Sequence, residues 1–446
     1  MAGPNGFPHS KRFHIVLIPG FGGFDALGQV EYYAGVTPVF QKWQAGKPAV
    51  VLHYFDNFPT AAVVTRATRL RSYLAKRMAR GEIAPGDEVS LVGHSTGGLD
   101  IRCLMSELRG SDEGTEPHER SEPFYVDGGA VVRPRDLLAC VHRIVFLSVP
   151  HWGTNIADWV RTHAVWREAV VAELRAAVAG TQVFILDRIE EQIAGGAACL
   201  TGAELLLAVQ DALSEANEGN GDRNAVRTAE AHEAASALAL YLRHMASDFR
   251  VIDDLTSKRP PGGPLSPAHF NDDERMKELA LWDRRHVKTL SFATLGSRPF
   301  RFPAGRPAPV WELAKLCTYP EVAKDIELSE GTDIAYRLCY RACAGGPFRQ
   351  PALNGNVSRR LGRCPRRPLE LWDNDGIVNT ASMLWPRGEN VLVAGDHLDI
   401  VGHYRLVRAE HGGGRKYQSY DSLKSMPAFT GEMFSEIWTE IFDFCS

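Results

Sequence analysis

No stretch of the chain approaches the ~18 consecutive apolar residues that a membrane-spanning helix needs, so no transmembrane segment is expected. The first residues, MAGPNGFPHSKRF, also lack the apolar core of a secretory signal. Two localisations follow: cytoplasmic for the sequence as written, secreted if it starts at a mature N-terminus. An excess of charge is missing too. Lys plus Arg number 50 against 54 for Asp plus Glu, a net charge of −4, which gives no electrostatic case for nucleic acid or an anionic membrane. Internal repeats and low-complexity tracts are absent. Cysteine is sparse, eight in 446 residues. Cys103 and Cys140 lie in apolar settings that suggest core, while Cys317, Cys339, Cys343 and Cys364 fall in one segment, spaced C-x21-C-x3-C-x20-C. Zinc sites draw their ligands from close pairs and only one pair here is close, so disulfides or free thiols fit that segment better than a four-thiolate zinc site.

What is present is an ordinary globular composition, 44% hydrophobic and 23% charged. The runs His14–Gly20, Ala49–Phe55, Glu88–Gly93 and His142–Val149 are near-continuously apolar and of strand length, as buried parallel strands are. Between the second and third, Val63, Ala67, Leu70, Leu74 and Met78 share one helical face, with Arg66, Arg69, Lys76 and Arg77 away from it. This alternation predicts a mostly parallel sheet with helices on both faces. After Pro150 the texture turns helical, rich in Ala, Leu and Glu, with Trp159, Trp166, Val170, Leu174 and Val178 at helical spacing and only Val183–Leu186 strand-like. Strand texture returns at Val287–Leu295, Pro368–Trp372 and Asn390–Ala394, before a C-terminal helix with Met433, Ile437, Ile441 and Phe444 on one face. The expected organisation is a core in two parts, 1–150 and 288–446, split by a helical cap over 151–287, with a Cys-containing insertion at about 300–365.

Gly93-His94-Ser95-Thr96-Gly97 matches G-x-S-x-G, directly after a strand-like run and directly before a helical one. That context is what a nucleophile elbow requires, with small neighbours because the serine's backbone is strained and other segments come close. Serine needs a base to take its proton, and the base needs an acid to hold its tautomer. Downstream, Asp375 and His397 each follow strand-like texture in the order Ser, Asp, His; Asp373 and His403 are their rivals. An oxyanion needs two preorganised donors. Thr96 N–H is one candidate and Phe21 N–H, in the glycine-rich turn after the first strand, is the other. Trp152 and Trp159 are candidates to line an acyl channel, or else belong to the core of the cap. The basic run Arg359, Arg360, Arg363, Arg366 and Arg367 reads as a solvated face or a partner for acidic cap residues.

Five blocks, Ile18-Pro19-Gly20-Phe21-Gly22-Gly23, Gly93-His94-Ser95-Thr96-Gly97-Gly98, Val149-Pro150-His151-Trp152-Gly153-Thr154, Asn374-Asp375-Gly376-Ile377-Val378-Asn379-Thr380 and Asp396-His397-Leu398-Asp399-Ile400-Val401-Gly402, occur in this order. Together they resemble the signature blocks of the bacterial true lipases of the α/β-hydrolase superfamily. The resemblance implies an α/β-hydrolase fold with an inserted cap. It also implies Ser95 as nucleophile, Asp375 and His397 completing the triad, and Phe21 and Thr96 as oxyanion amides. Family members often read HG where this chain has Pro19-Gly20. The chemistry needs no cofactor. A structural calcium is implied by the resemblance alone; Asp399 matches one ligand, and Tyr404 stands where one branch has a second Asp.

The expected activity is carboxylic ester hydrolysis on a small-molecule or lipid ester, through an acyl-enzyme. Polyester depolymerisation and acyl transfer to an alcohol use the same triad. A catalytically silent binding protein on the same fold is the rival of a different class. Covalent labelling by a fluorophosphonate separates it from the enzymes, and product analysis with added alcohols separates transfer from hydrolysis.

Overall fold

The computed structural model describes residues 11–23, 26–27, 30–45, 47, 49–109, 124–125, 131–162, 248–259, 266–298, 334–344, 355–404, 423, 425 and 429–446. Seven strands form one sheet: β1 Phe13–Ile18, β2 Val50–Tyr54, β3 Glu88–His94, β4 Val141–Leu147, β5 Lys288–Leu295, β6 Arg359–Leu361 and β7 Glu389–Ala394. Their order is β6-β7-β5-β4-β3-β1-β2, and every neighbouring pair is parallel. The four apolar runs of the first third are thus β1 to β4, each within two residues of its expected ends. They are continuous because both faces of the sheet are covered.

Side chains alternate across a strand, and β1 divides accordingly. Ile15 and Leu17 join a core with α1 (Val36–Gln44) and the C-terminal helix, whose Phe434, Ile437, Trp438, Ile441 and Phe442 are buried there. Val16 and Ile18 join a second core on the opposite face with α2 (Val63–Ala79), α3 (Thr96–Arg109) and α4 (Pro134–Cys140). Two short helices, α5 (Asn155–Thr162) and α6 (Val251–Asp254), lie either side of 163–247. Helix α7 (Asp272–Arg284) is opened by a capping box between Asn271 and Glu274. It adds Leu279, Leu281 and Trp282 to the second core, and its buried Glu278 pairs with Arg102 of α3 at 2.7 Å. Helix α8 (Ile334–Ala344) and the C-terminal helix α9 (Gly431–Cys445) complete the described helices.

Two sequence expectations change. Pro368–Trp372 is not a strand but a turn, folded around the carboxylate of Asp373, which Arg367 and Arg298 grip. The edge strand is instead β6, at the start of the basic run. Arg359 there pairs with Glu389 and with Glu440 of α9, so its acidic partners are core elements rather than cap residues. Cys343 and Cys364 are free thiols; Cys317, Val183–Leu186, Trp166, Val170, Leu174 and Val178 lie outside the described residues.

The chain runs from β1 outward to the edge strand β2, then returns to the other side of β1 as β3 and continues the opposite way. At such a reversal the loops leaving neighbouring strands diverge and open a crevice at their carboxyl ends. The two loops that diverge carry Phe21 after β1 and Ser95 after β3.

Candidate active site

Strand β3 ends at His94 and helix α3 begins at Thr96, so the whole turn is one residue, Ser95. Its φ of 52° is in the left-handed region, uncommon for a residue with a side chain and retained only where the surroundings fix it. Here the Ser95 N–H donates to Leu147 O at 2.8 Å, and its carbonyl accepts from Gly98 N at 3.1 Å. The turn is also crowded. A Cβ on Gly98 would come 2.2 Å from Val149, so the glycine that follows the G-x-S-x-G match is a steric necessity. Ser95 Oγ makes no hydrogen bond among the described residues, an arrangement common where the bond to a base tightens only around substrate.

Asp375 and His397, the candidate acid and base, lie between β6 and β7 and just after β7. Residues 374–379 fold back on themselves through an antiparallel bridge between Asn374 and Asn379, helped by Gly376 at φ 98°. The Asp375 carboxylate is fully partnered. Its Oδ1 accepts from the N–H groups of Ile377 and Val378, at 3.0 and 2.8 Å. Its Oδ2 accepts from Thr294 Oγ1 at 2.6 Å and from His397 Nδ1 at 2.7 Å. Nδ1 therefore carries a hydrogen and Nε2 presents a lone pair, the tautomer a general base needs. The His397 ring lies against that of His94, 4.7 Å between centroids, beside the residue that precedes Ser95.

The rivals are otherwise engaged. His403 Nε2 donates to the carbonyl of Tyr32 at 3.0 Å, and burial holds its pKa below the usual range. Burial alone would raise the Asp373 pKa, but hydrogen bonds from Arg367, Glu370 N–H and Arg298 outweigh it and hold it low.

Thr96 opens α3, so its N–H is in the first turn, where no helical carbonyl takes it and the helix dipole favours negative charge. In the loop after β1, the N–H of Gly20 goes to Tyr32 Oη, that of Gly22 to Pro59 O and that of Gly23 to Gly20 O. The N–H of Phe21 has no acceptor among the described residues. Its ring meets Phe249 edge-on at 5.8 Å.

A side chain missed by the helical reading sets the course of this loop. The amphipathic pattern of α2 sets Arg66 among the cations away from its apolar face, yet it is fully buried. Its Nη2 donates to the carbonyls of Pro19 and Gly20 at 2.7 and 3.2 Å, and Nε to both carboxylate oxygens of Asp100. A trans peptide points its N–H opposite its C=O, so fixing the Gly20 carbonyl on Arg66 aims the Phe21 N–H away from it. Asp100 also accepts from Asn57 Nδ2 at 3.0 Å. Burial raises its pKa to about 6, against the pull of Arg66. Amphipathic periodicity gives no sign of this pair, because charged residues there read as solvated.

Trp152 is buried beneath the Arg275 guanidinium, 3.2 Å from its ring centroid, and packs on Ala381. Trp159 is half-buried on α5. Helix α5 is moored to the acid loop: Thr154 Oγ1 donates to Ile377 O at 2.6 Å, and Asn155 N–H to Asn379 Oδ1 at 3.1 Å. Both asparagines also donate to Cys343 O at the end of α8, so that helix supports the loop that carries Asp375.

Asp399, the calcium ligand implied by the resemblance, opens the short 3-10 turn after β7. Asp399 Oδ2 accepts from the Asp396 N–H at 2.7 Å, and Tyr404 packs its ring on Phe429 and Phe434. Among the described residues no group of three His, Cys, Asp or Glu is placed to hold a metal ion.

The strand order, the all-parallel register and the strand–serine–helix turn are those of an α/β-hydrolase fold. No family model matches the chain, and no curated protein matches it. Among solved structures it is similar to Staphylococcus hyicus lipase, at 13% identity and TM-score 0.43, over 100% of this chain and 97% of that one. Lipase 1 from Pelosinus fermentans gives 16% and 0.43 over 96% and 98%. EstA from Clostridium botulinum gives 16% and 0.38 over 87% and 83%. No helix among the described residues is long and apolar enough to cross a membrane.

Proposed function

We propose that the chain is a serine carboxylic ester hydrolase acting on small-molecule or lipid esters. The observation that carries this reading is the 2.7 Å bond from His397 Nδ1 to Asp375, with the His397 ring against His94, the residue before Ser95. Ser95 Oγ attacks the ester carbonyl and forms a C–O bond while its proton passes to His397 Nε2. Asp375 holds the imidazole's orientation and stabilises its positive charge. The carbonyl electrons move onto oxygen, where the two N–H groups receive them. Collapse of this intermediate expels the alcohol, which takes the proton from His397. Water then repeats the cycle on the acyl-enzyme, giving up a proton to His397 and releasing the acid and Ser95.

The segment from 151 to 287 supplies the cover over this site in the same reading, which the contacts of its described ends support. The departing residue Thr154 and the returning Leu255 are hydrogen-bonded, N–H to carbonyl at 2.8 Å. The returning Phe249 packs on Phe21. Residues 163–247, the body of the expected cap, lie outside the described residues.

The test is fluorophosphonate labelling together with hydrolysis of p-nitrophenyl esters from short to long acyl chains. Wild type is expected to label and turn over, and Ser95→Ala to do neither while keeping its melting temperature. Turnover by folded Ser95→Ala would overturn the mechanism.

A further inference from the structure

Between the oxyanion loop and the base runs a chain of hydrogen bonds whose polarity is fully determined. His94 Nε2 is 2.9 Å from the carbonyl oxygen of His397, which can only accept, so Nε2 carries the hydrogen. Complete burial, then the neighbouring His397, keep His94 neutral by holding its pKa well below 6.5, so Nδ1 is left as an acceptor. Tyr32 Oη lies 2.6 Å from that Nδ1 and is therefore the donor. The same Oη accepts the N–H of Gly20 at 2.8 Å. Burial raises the Tyr32 pKa far above the physiological range, so the phenol keeps its proton.

The two ends of this chain are both at the reacting centre. At one end, the peptide between Pro19 and Gly20 is clamped from both sides, its carbonyl by Arg66 Nη2 and its N–H by Tyr32 Oη. This is the peptide immediately before the one that presents the Phe21 N–H. At the other end, the His397 backbone is held by His94 at its carbonyl and by the Asp375 carbonyl at its N–H, 3.2 Å away. In the middle stands the residue before the nucleophile. There is little slack: a Cβ on Gly20 would come 2.6 Å from the Ser95 Cβ and 2.8 Å from Tyr32 Oη.

We propose that Tyr32 and His94 are positioning residues that lock the oxyanion loop, the nucleophile turn and the backbone of the base into one register. Neither touches the substrate. The inference rests on the reading of Ser95, His397 and Phe21 as the reacting groups. Its consequence is specific: removing the Tyr32 hydroxyl releases the Gly20 N–H and leaves His94 Nδ1 without its donor, so the transition state loses alignment while ground-state binding of the acyl chain is untouched.

The test uses the full chain and p-nitrophenyl esters, with kcat and KM measured separately for Tyr32→Phe, His94→Gln, His94→Ala and the double variant Tyr32→Phe/His94→Ala. Tyr32→Phe is expected to lower kcat about 10- to 100-fold, less than deleting an oxyanion donor outright, with KM and melting temperature little changed. His94→Gln, whose amide can still donate to the His397 carbonyl, should recover part of the kcat that His94→Ala loses. The double variant should be no slower than His94→Ala, because one chain broken twice is still one broken chain. If His94→Ala fails to fold, Tyr32→Phe and His94→Gln decide alone. Wild-type kcat in Tyr32→Phe, or a double variant whose losses multiply, would overturn the relay. Ser95→Ala beside them separates the two failures. If it is inactive while Tyr32→Phe is unimpaired, only the relay falls; if it is active, the hydrolase reading falls.

Discussion

Two buried histidine–aspartate pairs stand at opposite ends of the same sheet. At the carboxyl end His397 donates to Asp375 at 2.7 Å. At the amino end His14, the second residue of β1, lies 3.2 Å from Asp87, just before β3. The residue types are the same and so is the burial. What differs is the company. Among the described residues Asp375 takes its remaining bonds from backbone amides and Thr294, with no Lys or Arg paired to it, and the ring of its histidine lies against His94, the residue before Ser95. Asp87 is gripped by Arg12 through both side chain and N–H, and His14 spends its other nitrogen on His53, 2.9 Å away. Among the described residues no helix begins beside it to offer unpaired amides. In a parallel sheet these begin only at the carboxyl edge, where strands hand over to helix N-termini. On the proposed mechanism, position in the topology is what makes the pair at the carboxyl edge a base, while at the other edge the same residue types form a clasp.

Ser95→Ala is the most severe cut, expected to lower turnover by about a millionfold. Exchanging the two aspartates separates the ends most cleanly. Asp375→Asn should cost about 10⁴ in kcat, whereas Asp87→Asn should lower the melting temperature and leave kcat unchanged. Equal losses of kcat from both would abolish the distinction. Next in size is Arg66→Met. It strands a buried carboxylate, so urea unfolding should show about 3–5 kcal/mol of destabilisation, and activity should fall as the Pro19 and Gly20 carbonyls are released. Asp100→Leu on the same background should restore part of the stability.

Acid should act through the histidines. Burial depresses the pKa of His14, His53, His94, His151, His269 and His403, that of His53 to about 3. A depressed folded-state pKa means that the unfolded chain binds more protons, so this stability is present above 6.5 and is lost as pH falls through that window toward 3. Asp100 and Asp254, raised by burial to about 6, run the other way, losing their contribution as pH rises from 3.8 to about 6. Melting temperature against pH should therefore fall on the acid side, and His53→Gln should flatten that fall without changing kcat at neutral pH. The smallest effect is expected from Trp159→Ala, a several-fold change in the ratio of long- to short-chain ester turnover with little change in stability.

The strands of the first third are readable because burial on both faces makes them continuously apolar, and the Ser95 turn because its sterics demand glycines at fixed offsets. Strand β6 is hidden by its arginines, of which Arg359 pairs with Glu389 and Glu440 from distant parts of the chain. Pro368–Trp372 looks like a strand because apolar residues flank it, but Asp373 and its two arginines bend it. Arg66, Asp100, Tyr32 and His94 escape for a shared reason: each is polar, buried and satisfied by a partner at least 34 residues away, and local periodicity contains no term for such pairs.

The hydrogen bond between Thr154 and Leu255 has a consequence for how such a protein can change. The chain departs at Thr154 and is back beside it at Leu255, so the two ends of a segment of about a hundred residues adjoin. The entropy of closing a loop grows slowly with its length, and exchange between adjoining ends leaves the scaffold's own register intact. The exchangeable unit lies between the moored ends: its length can change while Asn155, Phe249 and Asp254 keep the contacts that tie those ends to the edge carrying Ser95.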